Sequence, residues 1–134
     1  MEENIVYALR LKPGQDLKIA IQEFVKHHNI RAGWIITCVG SLTQYNLRFA
    51  NQRESQTAKG FFEIINLSGT LSPNGCHLHV AISDNNGSMI GGHLLEGCII
   101  YTTAEIVAGK SPNLIFTREN DGSTEWNELQ IKKN

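Results

Sequence analysis

The stretch 76–95 combines strand-like alternation with a turn signal, and together these predict a β-hairpin. In a strand, successive side chains point to opposite faces, so His77 and His79 share one side. The apolar residues between and after them share the other side. The Asn-Asn-Gly segment at 85–87 is typical of a three-residue hairpin loop that ends in a left-handed glycine. The sequence therefore predicts two antiparallel strands with one apolar and one polar face.

The length of the loop sets the register of this hairpin. A three-residue loop places Asp84 opposite Ser88, and counting back along both strands then places His79 opposite His93. A two-residue loop would shift the pairing by one residue and turn His93 into the apolar face, so we reject it. In the preferred register, opposite Cβ atoms lie roughly 4.5–5.5 Å apart, and same-side neighbours along a strand lie about 6–7 Å apart. We therefore expect the imidazoles of His77, His79 and His93 to meet.

Three histidines with an open fourth position are typical of a catalytic-type zinc site, and nickel, iron or cobalt suits the same ligands. The sequence thus predicts a metal site formed by His77, His79 and His93. The alternative is that these imidazoles are solvated, or hydrogen-bonded at a subunit interface. Cys76 precedes the first histidine, but alternation points its thiol to the opposite face, which argues against a role as fourth ligand.

Length and composition are those of an ordinary small globular protein. The chain has 134 residues, 41% of them hydrophobic, and a formal net charge of −1. We expect a single domain over 1–134, with a core over about 5–118 and a polar C-terminal tail over 119–134. A net charge of −1 does not indicate binding to nucleic acid, which is itself negatively charged. The three cysteines form no CxxC pair and are expected to be buried thiols.

The sequence shows no membrane-spanning or secretory pattern. No apolar run approaches the ~20 residues needed to cross a bilayer. The first residues are acidic, unlike the basic start of a secretory signal. We therefore expect a cytoplasmic protein that does not bind membranes.

The distribution of apolar residues predicts one helix among many strands. Apolar positions at three- and four-residue spacing predict the helix over about 16–28. The continuously apolar segment 34–39 predicts a central strand covered on both faces and ended by Gly40-Ser41, whereas the polar segment 51–60 predicts an exposed loop or hairpin tip. Further strands are predicted over 5–11, 45–50, 61–71, 98–107 and 113–117. The fold class is therefore α+β, with a mixed, mostly antiparallel β-sheet packed against one main helix.

Several segments, in order along the chain, match those of a known family. They are Arg10-Leu11-Lys12-Pro13-Gly14-Gln15-Asp16-Leu17, Gly40-Ser41-Leu42, Phe62-Glu63-Ile64, Leu67-Ser68-Gly69-Thr70, His77-Leu78-His79, Gly91-Gly92-His93-Leu94-Leu95-Glu96-Gly97-Cys98 and Thr103-Ala104-Glu105-Ile106. Over about 7–107 the chain resembles the plants and prokaryotes conserved domain, called PPC or PCC, in a stand-alone form. The resemblance implies a compact domain that assembles as a homotrimer. It also implies a metal site at the His-X-His and Gly-Gly-His motifs, here His77, His79 and His93.

The resemblance bears on DNA binding as well. In plants the domain is joined to AT-hook segments, which are Arg-Gly-Arg-Pro-like elements that enter the minor groove of A·T-rich DNA. This sequence contains no such element, and its net charge is slightly negative. We therefore expect no direct contact with nucleic acid, and a DNA-binding role extends to this chain only by similarity. The expected partners are further copies of the chain and other proteins.

Two functions from different classes remain open. The first, which we place ahead of catalysis, is a binding or regulatory module: a homotrimer whose apolar surfaces bind copies of itself or other proteins. The second is a small zinc-dependent, hydrolase-type enzyme in which the three histidines leave a position for a water that the ion activates. Arg10 and Arg48 could bind an anionic substrate, and Asp84, Glu96 and Glu105 are the acidic residues nearest to the hairpin in sequence. We assign none of them as catalytic.

A cupin-type metal barrel is a third reading, because cupins also use a His-X-His strand motif preceded by a glycine, as at 75–79. The glutamate expected a few residues further on is absent. The early amphipathic helix does not suit a pure β-barrel. We therefore place this reading well behind the other two.

Overall fold

The structure, a computed structural model covering residues 1–134, contains eight strands and one helix. In chain order they are β1 (Ile5–Leu11), α1 (Leu17–His27), β2 (Gly33–Arg48), β3 (Gln56–Ser72), β4 (Gly75–Ser83), β5 (Met89–Leu94), β6 (Ile99–Lys110), β7 (Leu114–Glu119) and β8 (Glu128–Lys133). The predicted α+β class is confirmed, and every strand pairing in the molecule is antiparallel. No helix of the protein is long and apolar enough to cross a bilayer.

The long strand β2 organises the main sheet. The six-stranded sheet has the order β1-β6-β2-β3-β4-β5, and the end of β2 also pairs with β5. That extra pairing joins Leu47 to Leu94 and Arg48 to His93. It depends on a close backbone approach at Gly92, where a Cβ atom would lie 2.8 Å from the carbonyl oxygen of Arg48. The strands β2 to β5 therefore form a closed ring of paired strands. His93 lies where β5 meets the end of β2.

The helix packs on one face of the sheet and completes a single core. The buried apolar side chains of α1 are Leu17, Ala20, Ile21 and Val25. They join a cluster of 22 buried residues drawn from the helix and from the main sheet, including Leu42, Leu78, Ile82, Leu94 and Ile106. Burying such side chains supplies about 1.5–3 kcal/mol each before the entropy of ordering is counted. The core therefore fixes the inner face of β4 and β5, and hence the outer positions of their histidines.

Asp16 caps the helix and ties it to the sheet. One of its carboxylate oxygens accepts a hydrogen bond from the backbone N–H of Ile19 at 3.0 Å. The other accepts from the backbone N–H of Gly97 at 2.7 Å. Asp is among the preferred N-cap residues because its side chain satisfies a helix donor that has no partner within the helix. A single carboxylate thus links the start of α1 to the loop between β5 and β6.

The prediction that Gly40-Ser41 ends a strand is wrong. The strand β2 runs through both residues as far as Arg48. Gly40 is needed for a close approach of two strands, because a Cβ atom there would lie within van der Waals overlap of the Thr103 carbonyl oxygen. The prediction that the segment 34–39 is covered on both faces is also wrong for a single chain, because the side chains of Ile36 and Val39 are exposed.

The predicted exposed loop at 51–60 and the polar tail differ from the structure at their boundaries. The strand β3 begins at Gln56, so only 49–55 form the hairpin tip, and 56–60 pair with β2 while both of their faces remain largely in solvent. The tail at 119–134 contains β8, a strand that the sequence did not predict, which pairs with β7. Alternation was weak in both segments because neither buries a full apolar face.

We predict that Asp16→Ala lowers the free energy of unfolding by about 1–3 kcal/mol, because the substitution removes the helix cap and leaves the N–H of Gly97 without its acceptor. Urea unfolding followed by circular dichroism measures the change. Glu23→Ala, an exposed substitution on the same helix, is the control. An equal, small effect of both substitutions would contradict this role of Asp16.

Candidate metal centre

The turn between β4 and β5 has the predicted form. The backbone N–H of Asp84 donates to the Ser88 carbonyl at 2.9 Å, and that of Gly87 donates to the Asp84 carbonyl at 3.0 Å. Gly87 adopts the left-handed φ of 79° that a non-glycine residue rarely takes. The Asp84 side chain accepts from the backbone N–H groups of Asn86 and Ser88, both at 2.9 Å. Asp84 is therefore a turn residue, and its Oδ1 atom accepts both of these hydrogen bonds.

The predicted register of the hairpin is confirmed. His79 lies opposite His93, and Ala81 lies opposite Gly91. The alternate residues of β4, Leu78, Val80 and Ile82, are buried in the core. This leaves the three histidine side chains on the other face, at the end where β2 meets β5.

The three imidazoles lie close enough to serve one ion. The ring centroids of His77 and His79 are 4.9 Å apart, those of His77 and His93 are 5.1 Å apart, and those of His79 and His93 are 5.7 Å apart. One nitrogen from each ring can be chosen so that all three lie within 4.8 Å of one another. Nitrogens bound tetrahedrally to one zinc ion at roughly 2.0–2.1 Å are about 3.3 Å apart, so small side-chain rotations would close the site.

The surroundings of the site hold two of the histidines in their neutral form. Burial and the nearby guanidinium of Arg48 lower the pKa of His93 from 6.5 to about 4. Burial and the guanidinium of Arg118 lower the pKa of His77 from its ordinary value. Both causes act against the imidazolium form, since one removes water and the other adds a like charge. A neutral imidazole is the form that binds a metal ion.

Arg118 on β7 is held directly against the site. Its Nη2 atom lies 3.3 Å from Nδ1 of His77 and 3.2 Å from the carbonyl oxygen of Asn127, to which it donates. The Glu128 carboxylate lies 3.7 Å from the same Nη2, and the Arg118 side chain is only 12% exposed. The main chain of Arg118 is anchored by Asn74, whose side chain exchanges two 3.0 Å hydrogen bonds with it. The β7–β8 hairpin thus forms one wall beside the histidines.

A cavity of about 530 Å³ opens beside the imidazoles. His77 and His93 line it together with Arg48 and Arg118. The guanidinium of Arg48 lies 4.7 Å from the ring centroid of Trp126, so the indole forms a side wall of the cavity and restrains that arginine. His77 and His93 therefore face a recess with two cationic side chains.

Some of the charged residues that the sequence analysis named lie at this site, and others lie elsewhere in the molecule. Arg48 is in the cavity, whereas Arg10 lies on β1 and donates to the Thr103 hydroxyl. Neither Glu96 nor Glu105 lines the cavity.

Cys76 lies at the rim of the cavity and packs against the core. Burial raises the pKa of its thiol, and the converging donor atoms come from the three histidines and do not include the Cys76 sulfur.

Sequence reasoning missed three residues of the cavity: Arg118, Trp126 and Glu128. All three lie in or next to the β7–β8 hairpin, in a segment that reads as polar tail. The one available signal was the tryptophan, an aromatic residue in an otherwise polar stretch, followed by alternating apolar residues at 129 and 131.

An antiparallel sheet covered by one helix, with three histidines converging at one end, defines a small α+β domain with a candidate metal centre. Residues 1–112 match the Plants and Prokaryotes Conserved (PCC) domain, and the chain belongs to this family. The resemblance noted from the sequence is confirmed. The matched residues include His77, His79 and His93, and they end before β7.

Solved structures share this fold closely. A hypothetical protein from Salmonella cholerae-suis is 43% identical, with a TM-score of 0.96, and the match covers 99% of this chain and 96% of that one. A metal-containing protein from Archaeoglobus fulgidus is 25% identical, with a TM-score of 0.82, and the match covers 94% and 93% of the two chains.

The chain is also similar to part of a longer protein. The Bifunctional protein GlmU of Synechococcus sp. (strain JA-3-3Ab) is 48% identical over 128 residues. The match covers 96% of this chain and 21% of that protein, so the chain spans about a fifth of the length of this relative.

We predict that the metal-free protein loses stability as the pH falls from 6.5 towards 4. The pKa of His93 is lowered to about 4 in the folded protein, so between these values the unfolded chain binds the proton more readily, and protonation favours unfolding. Urea unfolding at pH 7 and pH 5 measures the loss. It should be smaller in His93→Gln than in wild type, whereas the exposed control His27→Gln should lose as much as wild type. A loss in His93→Gln equal to that of wild type would exclude His93 as its source.

Proposed function

We propose that this chain is a homotrimeric binding and regulatory module in which His77, His79 and His93 hold a divalent transition-metal ion such as zinc. The observation that carries the proposal is the convergence of three imidazole nitrogens within 4.8 Å on one rigid hairpin. The register of that hairpin is fixed by its turn and by the core beneath it. The side chains are therefore positioned by the fold before any ion arrives.

Three imidazole nitrogens are suitable ligands for a divalent transition-metal ion. Imidazole suits zinc, copper, iron and nickel, and three protein ligands leave a coordination position open to an external ligand. His79 is exposed while the other two are half-buried, so an ion could enter from solvent. A relative of the same fold from Archaeoglobus fulgidus is a metal-containing protein, which supports the proposal.

Self-association is supported by the outer face, which we define as the face of the six-stranded sheet opposite α1. Its exposed apolar side chains include Val6, Val39, Phe61 and Tyr101, and the rings of Phe61 and Tyr101 lie 5.0 Å apart. Val39 is 61% exposed and Phe61 is 60% exposed. Val39, Phe61 and Tyr101 line one shallow recess of this face, and exposed apolar patches mark interaction sites in soluble proteins. The number of copies, three, follows from the family resemblance, and other proteins are the further partners we propose.

A modular role is supported by the longer relative. A segment 48% identical to this chain occupies about a fifth of a bifunctional protein, so a domain of this kind occurs joined to other parts of a chain. The net charge of −1 disfavours nucleic acid as a direct ligand, because binding to the phosphate backbone depends on neutralising it with Lys and Arg. We place the chain in the cytoplasm.

A second function, that of a small zinc-dependent hydrolase, is favoured by the cavity beside the histidines. A metal ion held by three histidines supplies Lewis-acid activation of water near neutral pH. The cavity of about 530 Å³ is large enough for a small substrate, and Glu128 is the one carboxylate that lines it. One Glu128 oxygen accepts a hydrogen bond from the Thr124 hydroxyl at 2.9 Å and the other lies 3.7 Å from the Arg118 guanidinium, so we rank this function behind the binding role.

We predict near-stoichiometric divalent metal in protein purified without a histidine tag, and loss of that metal in His79→Ala, because two imidazoles bind a metal ion much more weakly than three. Elemental analysis per chain measures it, with zinc supplied during growth. His27→Ala, at the end of α1 and outside the site, is the control and should keep the metal. Wild-type protein without metal after zinc is supplied would overturn the proposed site.

We predict that the wild-type protein sediments at about three times its chain mass of 14.9 kDa. Val39→Glu should shift it towards the monomer, because a buried unpaired carboxylate in the interface is costly. Ile131→Glu, which changes a side chain of the same 61% exposure on β8, should leave the assembly intact. A wild-type monomer at micromolar concentration would contradict self-association.

A further inference from the structure

The side chain of Arg118 makes a hydrogen bond to His77 that a metal-bound His77 cannot accept. Its Nη2 lies 3.3 Å from Nδ1 of His77. A guanidinium group only donates hydrogen bonds, so Nδ1 must be the acceptor, and the ring proton of the neutral imidazole is then on Nε2. The single ring lone pair of His77 is therefore engaged by Arg118.

His77 cannot bind a metal ion and accept a hydrogen bond from Arg118 at the same time. A neutral imidazole has one ring lone pair for both purposes. Coordination through Nδ1 displaces the guanidinium from that atom. Coordination through Nε2 moves the ring proton to Nδ1, where it faces an N–H donor of Arg118. Either way the hydrogen bond breaks, and Arg118 loses its imidazole acceptor.

Arg118 stays in the cavity when this bond is lost. Two hydrogen bonds from Asn74 hold its main chain, and its side chain is 12% exposed. Its remaining partners are the carbonyl of Asn127 and the carboxylate of Glu128, and the latter at 3.7 Å is beyond good hydrogen-bonding distance. Five N–H donors in a fixed fork are too many for these two acceptors. The freed guanidinium therefore has N–H donors available for a further acceptor in the cavity.

Arg48 supplies a second cationic group to the same cavity. It pairs with His93 across β2 and β5, and its guanidinium lies over Trp126. Its one hydrogen bond is a long contact of 3.5 Å with the carbonyl of Gln52, so its donors are also largely free. Two arginines against Glu128 alone leave the lining of the cavity with a net positive charge before any metal ion is added.

We propose that the cavity binds a small oxyanion, of the carboxylate or phosphate type, as the external ligand of the metal centre, with Arg48 and Arg118 as its two charge-assisted contacts. The inference rests on the proposed function, since His77 releases Arg118 only when it binds a metal ion. Arginine matches the planar, two-oxygen edge of such anions better than lysine does. Metal loading and anion binding then reinforce each other, because the first makes Arg118 available to the second.

Cobalt-loaded protein tests the assignment, because the visible absorption of Co²⁺ reports a change of its bound ligands. Acetate and inorganic phosphate are titrated separately, which distinguishes the carboxylate from the phosphate type. We expect saturable spectral changes with at least one of the two anions in wild type. Binding should weaken roughly tenfold or more in Arg48→Met and in Arg118→Met, the scale of one charge-assisted hydrogen bond. Arg10→Met, on the far strand β1, should bind the anion as wild type does.

The metal affinity of the same variants, measured by calorimetry without added anion, tests the competition at His77. Both arginine variants remove one positive charge near the site, but only Arg118→Met also removes the hydrogen bond to His77. Arg118→Met should therefore bind Co²⁺ more tightly than Arg48→Met does, by several-fold. Equal affinities in the two variants would show that no such bond has to break and would overturn the release of Arg118.

The outcomes separate this inference from the proposed function. A wild-type protein that binds no Co²⁺ overturns both. A protein that binds Co²⁺ but whose spectrum responds to neither anion, or responds equally in wild type and in both arginine variants, overturns the anion site alone. Because Arg48 and Arg118 lie on different strands, loss of folding in one variant still leaves the other to decide the question.

Discussion

The register of the β4–β5 hairpin is the constraint on which the candidate site depends. Backbone hydrogen bonds between Asp84 and Ser88 and the left-handed conformation of Gly87 allow only one alignment of the two strands. A slip by one residue would send the His93 imidazole into the core and bring an apolar side chain to the surface. The buried residues of β4 oppose that slip as strongly as the turn does. Turn geometry and core packing thus select the same arrangement.

Closure of β2 onto β5 is the second element that shapes the site. It places Arg48 beside His93, and so brings a permanent positive charge next to an imidazole that is partly removed from water. This arrangement disfavours a proton on His93, and a divalent ion would meet the same repulsion from Arg48. In the proposed site, coordination by three imidazoles would have to outweigh this repulsion, which partial solvation weakens.

The sequence was informative where a pattern is local. The hairpin turn, the helix from Asp16 and the pairing of His79 with His93 all depend on residues a few positions apart, and all three are confirmed. The course of β2 through Gly40 was misjudged because the strand that requires a glycine there, near Thr103, is more than sixty residues away in sequence. Arg118 was missed for a different reason, since its contact with His77 depends on a hairpin that buries little apolar surface and so shows weak alternation.

The cavity is built from two parts of the chain, and the boundary of the family match lies between them. The three histidines lie within the residues that match the PCC family, whereas Arg118, Trp126 and Glu128 all lie beyond residue 112. The proposed ion would therefore be held by the matched domain, while part of the wall that faces its external ligand lies beyond that domain. A family built in this way could keep one inorganic centre and vary what it recognises by exchanging a single terminal hairpin.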